Sequence, residues 1–167
     1  MNDRFPEPPM GYADLMPPHE EARELVVVER LADGRVMELR PRAAEDWIAM
    51  KAAAACDGVT LELISAFRSV ARQREIVAGK LARGQSLEEI LKVSAYPGYS
   101  EHHTGEAVDI GCPGCPPLTE AYAGTGAWGW LMAHAARFGF SMTYPRGNVA
   151  DLAFEPWHWR HRSVVSP

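Results

Sequence analysis

The chain has 167 residues, 47% of them hydrophobic and 23% charged, which suits one domain with a real core. Its formal net charge of −5 comes from interspersed acids and bases, so no basic face for nucleic acid is expected. No apolar run approaches the roughly 18 residues of a membrane-spanning helix, and the opening "MNDRFPEPPMGYADLMPPHEE" lacks the basic-then-apolar order of a secretory signal. Taken at face value this means the cytoplasm, or the cell envelope if a leader has been removed. Oligomeric state is not legible in the pattern.

Residues 1–20 are proline-rich and without periodicity, and read as an extended surface arm. Residues 21–167 read as one domain, with no repeat or linker to divide it. "ELVVVERLADGRVMELRP" is a hairpin signal about Asp33-Gly34. "PRAAEDWIAMKAAAACDG" is a helix with Pro41 in its first turn and Gly58 as its stop. "VTLELISAF" is a β-branched-rich strand ending at Arg68. "SVARQREIVAGKLARGQ" is helical, and "SLEEILKVSA" opens with the Ser86–Glu89 spacing of a capping box. "YPGYSEHHTG" is dense in turn formers and leads into a short strand, "EAVDIG". A loop with "CPGC", a helix closed by Gly139, the strand and turn "SMTYPRGN" and an aromatic strand, "AFEPWHWRHR", complete the chain. Helices and hairpin strands in mixed order predict an α+β fold with a mainly antiparallel sheet.

Three cysteines cannot all pair within one chain. Cys112 and Cys115 form a C-x-x-C that could be a redox pair, half a zinc knuckle or a local disulfide. No second C-x-x-C or C-x-x-H completes a zinc site, and Pro116-Pro117 follows at once. The plainer expectation is a Pro/Gly loop with incidental thiols.

The ionisable groups least at ease in their local setting carry the functional signal. Asp109 lies between Val108 and Ile110 on a strand that should be buried, where carboxylates are rare unless paired or bound to metal. Taken alone it is as well explained by a strand-end turn before Gly111. Glu155 and His158 sit among tryptophans in "FEPWHWR", where Pro156 favours extended backbone and desolvation would raise a carboxyl pKa. Trp157, between them, is a candidate cleft wall. A solvated surface strand would explain them equally well. Arg68 closes an apolar strand, a place for a guanidinium that faces a cleft and binds a carboxylate or oxyanion, or simply reaches solvent. Together, one of His102 and His103 with Asp109 and His158 makes a two-His, one-carboxylate set suited to catalytic zinc, with Glu155 left as a base. His134 is expected to be structural, and His161 and Arg162 to be solvated.

"SEHHTGEAVD" has the form S-x-H-x-x-G-x-A-x-D, "EPWH" has the form E-x-W-H, and both follow "SAFRS". In this order, from about Leu61 to Arg160, they resemble the zinc D-alanyl-D-alanine carboxypeptidases, relatives of the vancomycin-resistance D,D-peptidases. The resemblance implies the hedgehog/D,D-peptidase fold and one zinc ion per chain, held by His102, Asp109 and His158. It implies Glu155 as general base towards a zinc-activated water, and Arg68 on the substrate carboxylate or scissile carbonyl. Gln73 and Ser100 are implied substrate contacts. The implied partners are peptidoglycan stem peptides or small D-Ala-containing peptides. An L,D-carboxypeptidase or endopeptidase on the same site is the alternative enzyme, and a zinc-stabilised binding module the alternative without turnover. Glu155 separates the last from the others, since a binding module needs no base. The loop after Asp109, "CPGCPPLTEAYAGTG", is not part of the resemblance.

Overall fold

The computed structural model describes residues 5–148 and 152–162. Two strands, β1 (Val26–Arg30) and β2 (Val36–Leu39), form the expected antiparallel hairpin, and Gly34 takes a φ of 88° in its turn. Helix α2 (Pro41–Cys56) follows, with Pro41 pre-setting φ in the first turn. Its Ala43, Ala44, Trp47, Met50 and Ala54 recur at helical spacing and are all buried, giving one apolar stripe.

The central sheet has four antiparallel strands in the order β3 (Glu62–Ser65), β4 (Ala107–Gly111), β6 (His158–His161) and β5 (Phe140–Met142). Strand alternation sorts the side chains of β4 and β6. Val108, Ile110 and Trp159 enter the main core with Trp47, Met50, Leu131 and Phe140. Asp109 and His158, directly paired across β4 and β6, share the opposite face. A slip of one residue in either strand would send one of the pair into the core, so the apolar neighbours fix the register.

Helices α3 (Val70–Ala82) and α4 (Leu87–Leu91) lie between β3 and β4, and α5 (Gly126–His134) between β4 and β5. The capping box read from Ser86 and Glu89 is formed on α4. No helix among the described residues is long and apolar enough to cross a membrane.

Two expectations change. The arm does not simply lie extended on the surface. It carries a short helix, α1 (Tyr12–Leu15), whose Tyr12 is buried together with Met16 and Leu91 in a second cluster edged by Tyr96, Tyr99 and Leu152. Tyr12 Oη accepts from the Tyr96 amide at 3.0 Å, so the aromatics, not periodicity, dock this segment. His161 is not solvated: it is 1% exposed and its Nε2 meets Asp46 Oδ2 at 2.8 Å. It sits on the core face of β6, two residues after Trp159 and paired with Phe140. Arg162 is exposed, as expected, and His134 is half-buried against Trp130 at the end of α5.

Candidate active site

A single 3₁₀ turn, Glu101–Thr104, delivers the double histidine. Ser100 caps it, its Oγ accepting from the His102 amide at 3.3 Å. Gly105 ends it at a φ of 67°, and a Cβ there would stand 2.9 Å from Leu25 and 3.1 Å from Ala22. Positive φ and close approach together explain the glycine of S-x-H-x-x-G.

The turn sends its two histidines to different places. His102 Nδ1 donates to the Ala66 carbonyl at 2.7 Å, which aims Nε2 at Asp109 Oδ2, 3.2 Å away. His103 is fully buried and turned elsewhere. Its Nδ1 donates to the Arg68 carbonyl at 2.6 Å and its Nε2 accepts from the Gly98 amide at 3.1 Å. Both its nitrogens are used in holding backbone, so His103 is a strut and His102 the free donor.

From β6, His158 brings Nδ1 to 3.0 Å from Asp109 Oδ1. Ligand atoms of His102, Asp109 and His158 all lie within 4.8 Å of one another, and all three residues are buried. The outer nitrogens are fixed: His102 by Ala66, and His158 through Nε2 to Glu101 Oε2 at 2.9 Å. Two imidazoles held in fixed orientation and one carboxylate fit a zinc-type dication, because the ligand atoms converge on a common centre within 4.8 Å of one another. Tyr144 packs its ring 4.9 Å from that of His158.

The electrostatics follow from crowding. Burial would raise the Asp109 carboxyl, but the neighbouring charge and hydrogen bonds of His102, with those of His158, hold it well below the carboxylate range. Glu101 is opposed by burial too, yet His158 and Arg160 bring it down to about 2. Burial alone would lower His158; hydrogen bonds to Asp109 and Glu101 raise it to about 10. For His102 burial prevails over Asp109, and its pKa falls. Glu155 moves the other way. Burial, aided by the charges of Asp109 and Glu101 against those of His158 and Arg68, pushes it up to about 7.

These groups line a cleft of about 450 Å³, with Arg68, Lys80, Ser100, Leu118, Tyr144 and Trp157 among its walls. A larger depression of about 610 Å³ at Arg23, Arg40, Arg42 and Glu106 contains none of the His–Asp–His set. Arg68 is braced from behind: its Nη1 donates to Gln73 Oε1 at 2.9 Å and its Nη2 to Ser65 Oγ at 3.0 Å. Gln73 is fully buried, its Nε2 donating to Ser94 Oγ at 3.2 Å and the Ala95 carbonyl at 2.7 Å. It therefore stands behind Arg68 and not on the cleft wall.

Three contributors escaped the sequence reading. Glu101 occupies the variable place between Ser100 and His102, and only the 3₁₀ turn reveals that it points inward. Tyr144 lies in a stretch read as strand and turn. Lys80, on α3, resembles an ordinary last-turn lysine, but it borders the cleft and has no ion-pair partner among the described residues.

A buried His–Asp–His set with a protonatable carboxyl beside it, open to a cleft, is the arrangement of a metallohydrolase. The chain belongs to the VanY family, D-alanyl-D-alanine carboxypeptidase, whose family model matches residues 36–164. Putative carboxypeptidase YodJ of Bacillus subtilis (strain 168) is 31% identical over 154 residues, covering 87% of this chain and 56% of YodJ. The chain spans about half the length of the curated relatives it matches. Among solved structures, the LdcB LD-carboxypeptidase superposes with a TM-score of 0.76 at 32% identity, covering 84% of this chain and 69% of LdcB. A mutant of the vancomycin-resistance D,D-pentapeptidase VanY, solved in complex with Zn(II), gives 0.62 at 30% identity, with 83% and 78% covered. The expected hedgehog/D,D-peptidase fold is that of these neighbours.

Proposed function

We propose that this chain is a zinc carboxypeptidase that releases a C-terminal D-alanine from peptidoglycan stem peptides. His102, Asp109 and His158 would hold the metal, one ion per chain. The observation that carries the reading is Glu155, a desolvated carboxyl raised to about 7 that lines the same cleft as the donor set. A purely structural metal site has no use for such a group.

Zinc in this position supplies Lewis-acid chemistry, making water nucleophilic near neutral pH and polarising a carbonyl oxygen. Glu155 accepts the proton of the attacking water on its carboxylate and passes it to the leaving amine nitrogen. Its raised pKa matches both halves of that task, since it can hold and release a proton near pH 7. Beyond its bonds to Gln73 and Ser65, Arg68 keeps Nε–H and one N–H on each terminal nitrogen free of partners among the described residues. That fork suits the terminal carboxylate of the substrate, or the oxyanion as it forms. Lys80 adds a second cation to the same wall. Ser100 spends an acceptor on the His102 amide and retains its O–H for substrate, while Trp157 supplies an apolar wall.

Incubation with a pentapeptide stem, with and without chelator, tests this. Free D-alanine that disappears with chelator is the expected result; no release from pentapeptide or tetrapeptide would leave the binding-module reading. Release from the tetrapeptide alone would make the enzyme an L,D-carboxypeptidase, a second reading favoured by the close superposition on LdcB.

A further inference from the structure

The loop that follows Asp109 leaves the metal centre and returns to it. Cys112-Pro113-Gly114-Cys115 is a tight turn closed by the Cys115 amide donating to the Cys112 carbonyl at 3.4 Å. Pro113 at its second position and Gly114 at a φ of 79° at its third are the signature of a type II turn. Such a turn holds its end Cα atoms within about 7 Å, and a disulfide needs roughly 4.4–6.8 Å. The two thiols stand at the two ends of this one turn, both are free and partly exposed, and burial pushes the Cys112 thiol up. Beneath them lies Tyr122, 2% exposed, whose hydroxyl has no hydrogen-bond partner among the described residues. The hydroxyl of Thr125, the cap of α5, donates to the Tyr122 carbonyl at 2.7 Å.

Three residues after Cys115, Leu118 stands on the catalytic cleft. Its φ of 56° is the only positive value at a non-glycine among the described residues. Pro116 and Pro117 separate it from the turn, so the rim position is coupled to the turn through stiff backbone.

We infer that Cys112 and Cys115 form a dithiol site that exchanges with small or protein disulfides, and that the oxidised form clamps the rim segment carrying Leu118. In the first step the thiolate of one cysteine attacks a sulfur of the partner disulfide, and one partner thiolate leaves with the S–S electron pair. The second cysteine thiolate then attacks the mixed disulfide, forming the Cys112–Cys115 bond and expelling the first cysteine's partner as a second thiolate. Both leaving groups take up the protons shed by the cysteines, so two thiols are oxidised and one disulfide is reduced to two thiols. This chemistry stands whether or not the chain hydrolyses peptides.

The test uses the folded full chain carrying Cys56→Ser, which removes the exposed third thiol. Treatment with oxidised glutathione is expected to abolish both remaining thiols with loss of two hydrogens in mass, no retained glutathione, and a peptide linking Cys112 to Cys115. Further substitution Cys112→Ser or Cys115→Ser is expected to leave a stable glutathione adduct instead. Accumulation of doubly glutathionylated protein, or two thiols that persist, would overturn the pairing. Amide hydrogen exchange at Leu118 is expected to slow on oxidation, and an unchanged rate would overturn the clamp.

Discussion

Replacing Glu101 by glutamine separates metal tuning from metal ligation. Glu101 Oε2 takes the outer proton of His158 at 2.9 Å, while Oε1 meets Arg160 at 3.1 Å. The amide oxygen can still accept from His158, so the shape survives and the charge is lost. Hydrogen bonds to charged groups contribute about 1.5–3 kcal/mol and neutral ones about 0.5–1.5. The difference, about 1–2 kcal/mol, corresponds to roughly 5- to 30-fold weaker zinc binding. That falls within or just under the range of about 10- to 100-fold seen when groups behind metal ligands are changed. Zinc Kd is measured by competition with a chromophoric chelator, beside melting of the metal-free proteins to account for the lost Arg160 pair. Glu106→Gln is the control, because Glu106 pairs with Arg160 and Arg40 and has no contact with His158. Equal zinc affinity in Glu101→Gln and the parent, with both folded, would refute the role given to Glu101.

Other outcomes follow from the same geometry. His102→Ala is expected to lose zinc while His103→Ala keeps it, as metal content of the purified variants will show; full occupancy in His102→Ala would contradict the ligand assignment. Gln73→Ala removes the brace of Arg68 and leaves buried partners unmet, with an expected stability loss of about 1–3 kcal/mol by urea unfolding. Its KM is expected to rise without loss of metal. The raised pKa of His158 means that the metal-free fold carries a proton there at pH 7, which coordination through Nδ1 must displace. Zinc binding is therefore expected to release close to one proton and to strengthen as pH rises from 6 to 8, read with a pH indicator in weak buffer. Glu101, depressed to about 2, stabilises the fold above its unfolded value, and that contribution is lost as pH falls from about 4.5 through 2. The melting temperature of the metal-free protein should drop across that window.

Where local chemistry decides an element, the one-dimensional pattern anticipated it. The hairpin at Asp33-Gly34, Pro41 at the start of α2 and the Ser86–Glu89 capping box are short-range signals, and each appears in place. Asp109 and His158 were also legible as candidates, because a carboxylate and an imidazole amid apolar strand residues need a partner. Their direct pairing depends on the β4–β6 register, a contact across 49 positions that spacing cannot show. Glu101 and His161 were missed for a related reason. A 3₁₀ turn folds Glu101 inward, and the alternation of β6 buries His161 on Asp46, neither of which local polarity predicts. Gln73 shows the limit of a motif match: the resemblance implied a substrate contact, but the residue is fully buried and braces Arg68.

The proposed hydrolysis rests on Glu155 moving the proton while His102, Asp109 and His158 hold the metal. Glu155→Gln, loaded with zinc and assayed on stem peptides beside the parent, tests it most directly. One zinc per chain is expected in both proteins, with a fall in kcat of about 10²- to 10⁴-fold in the variant. Undiminished turnover in the zinc-loaded variant would contradict it.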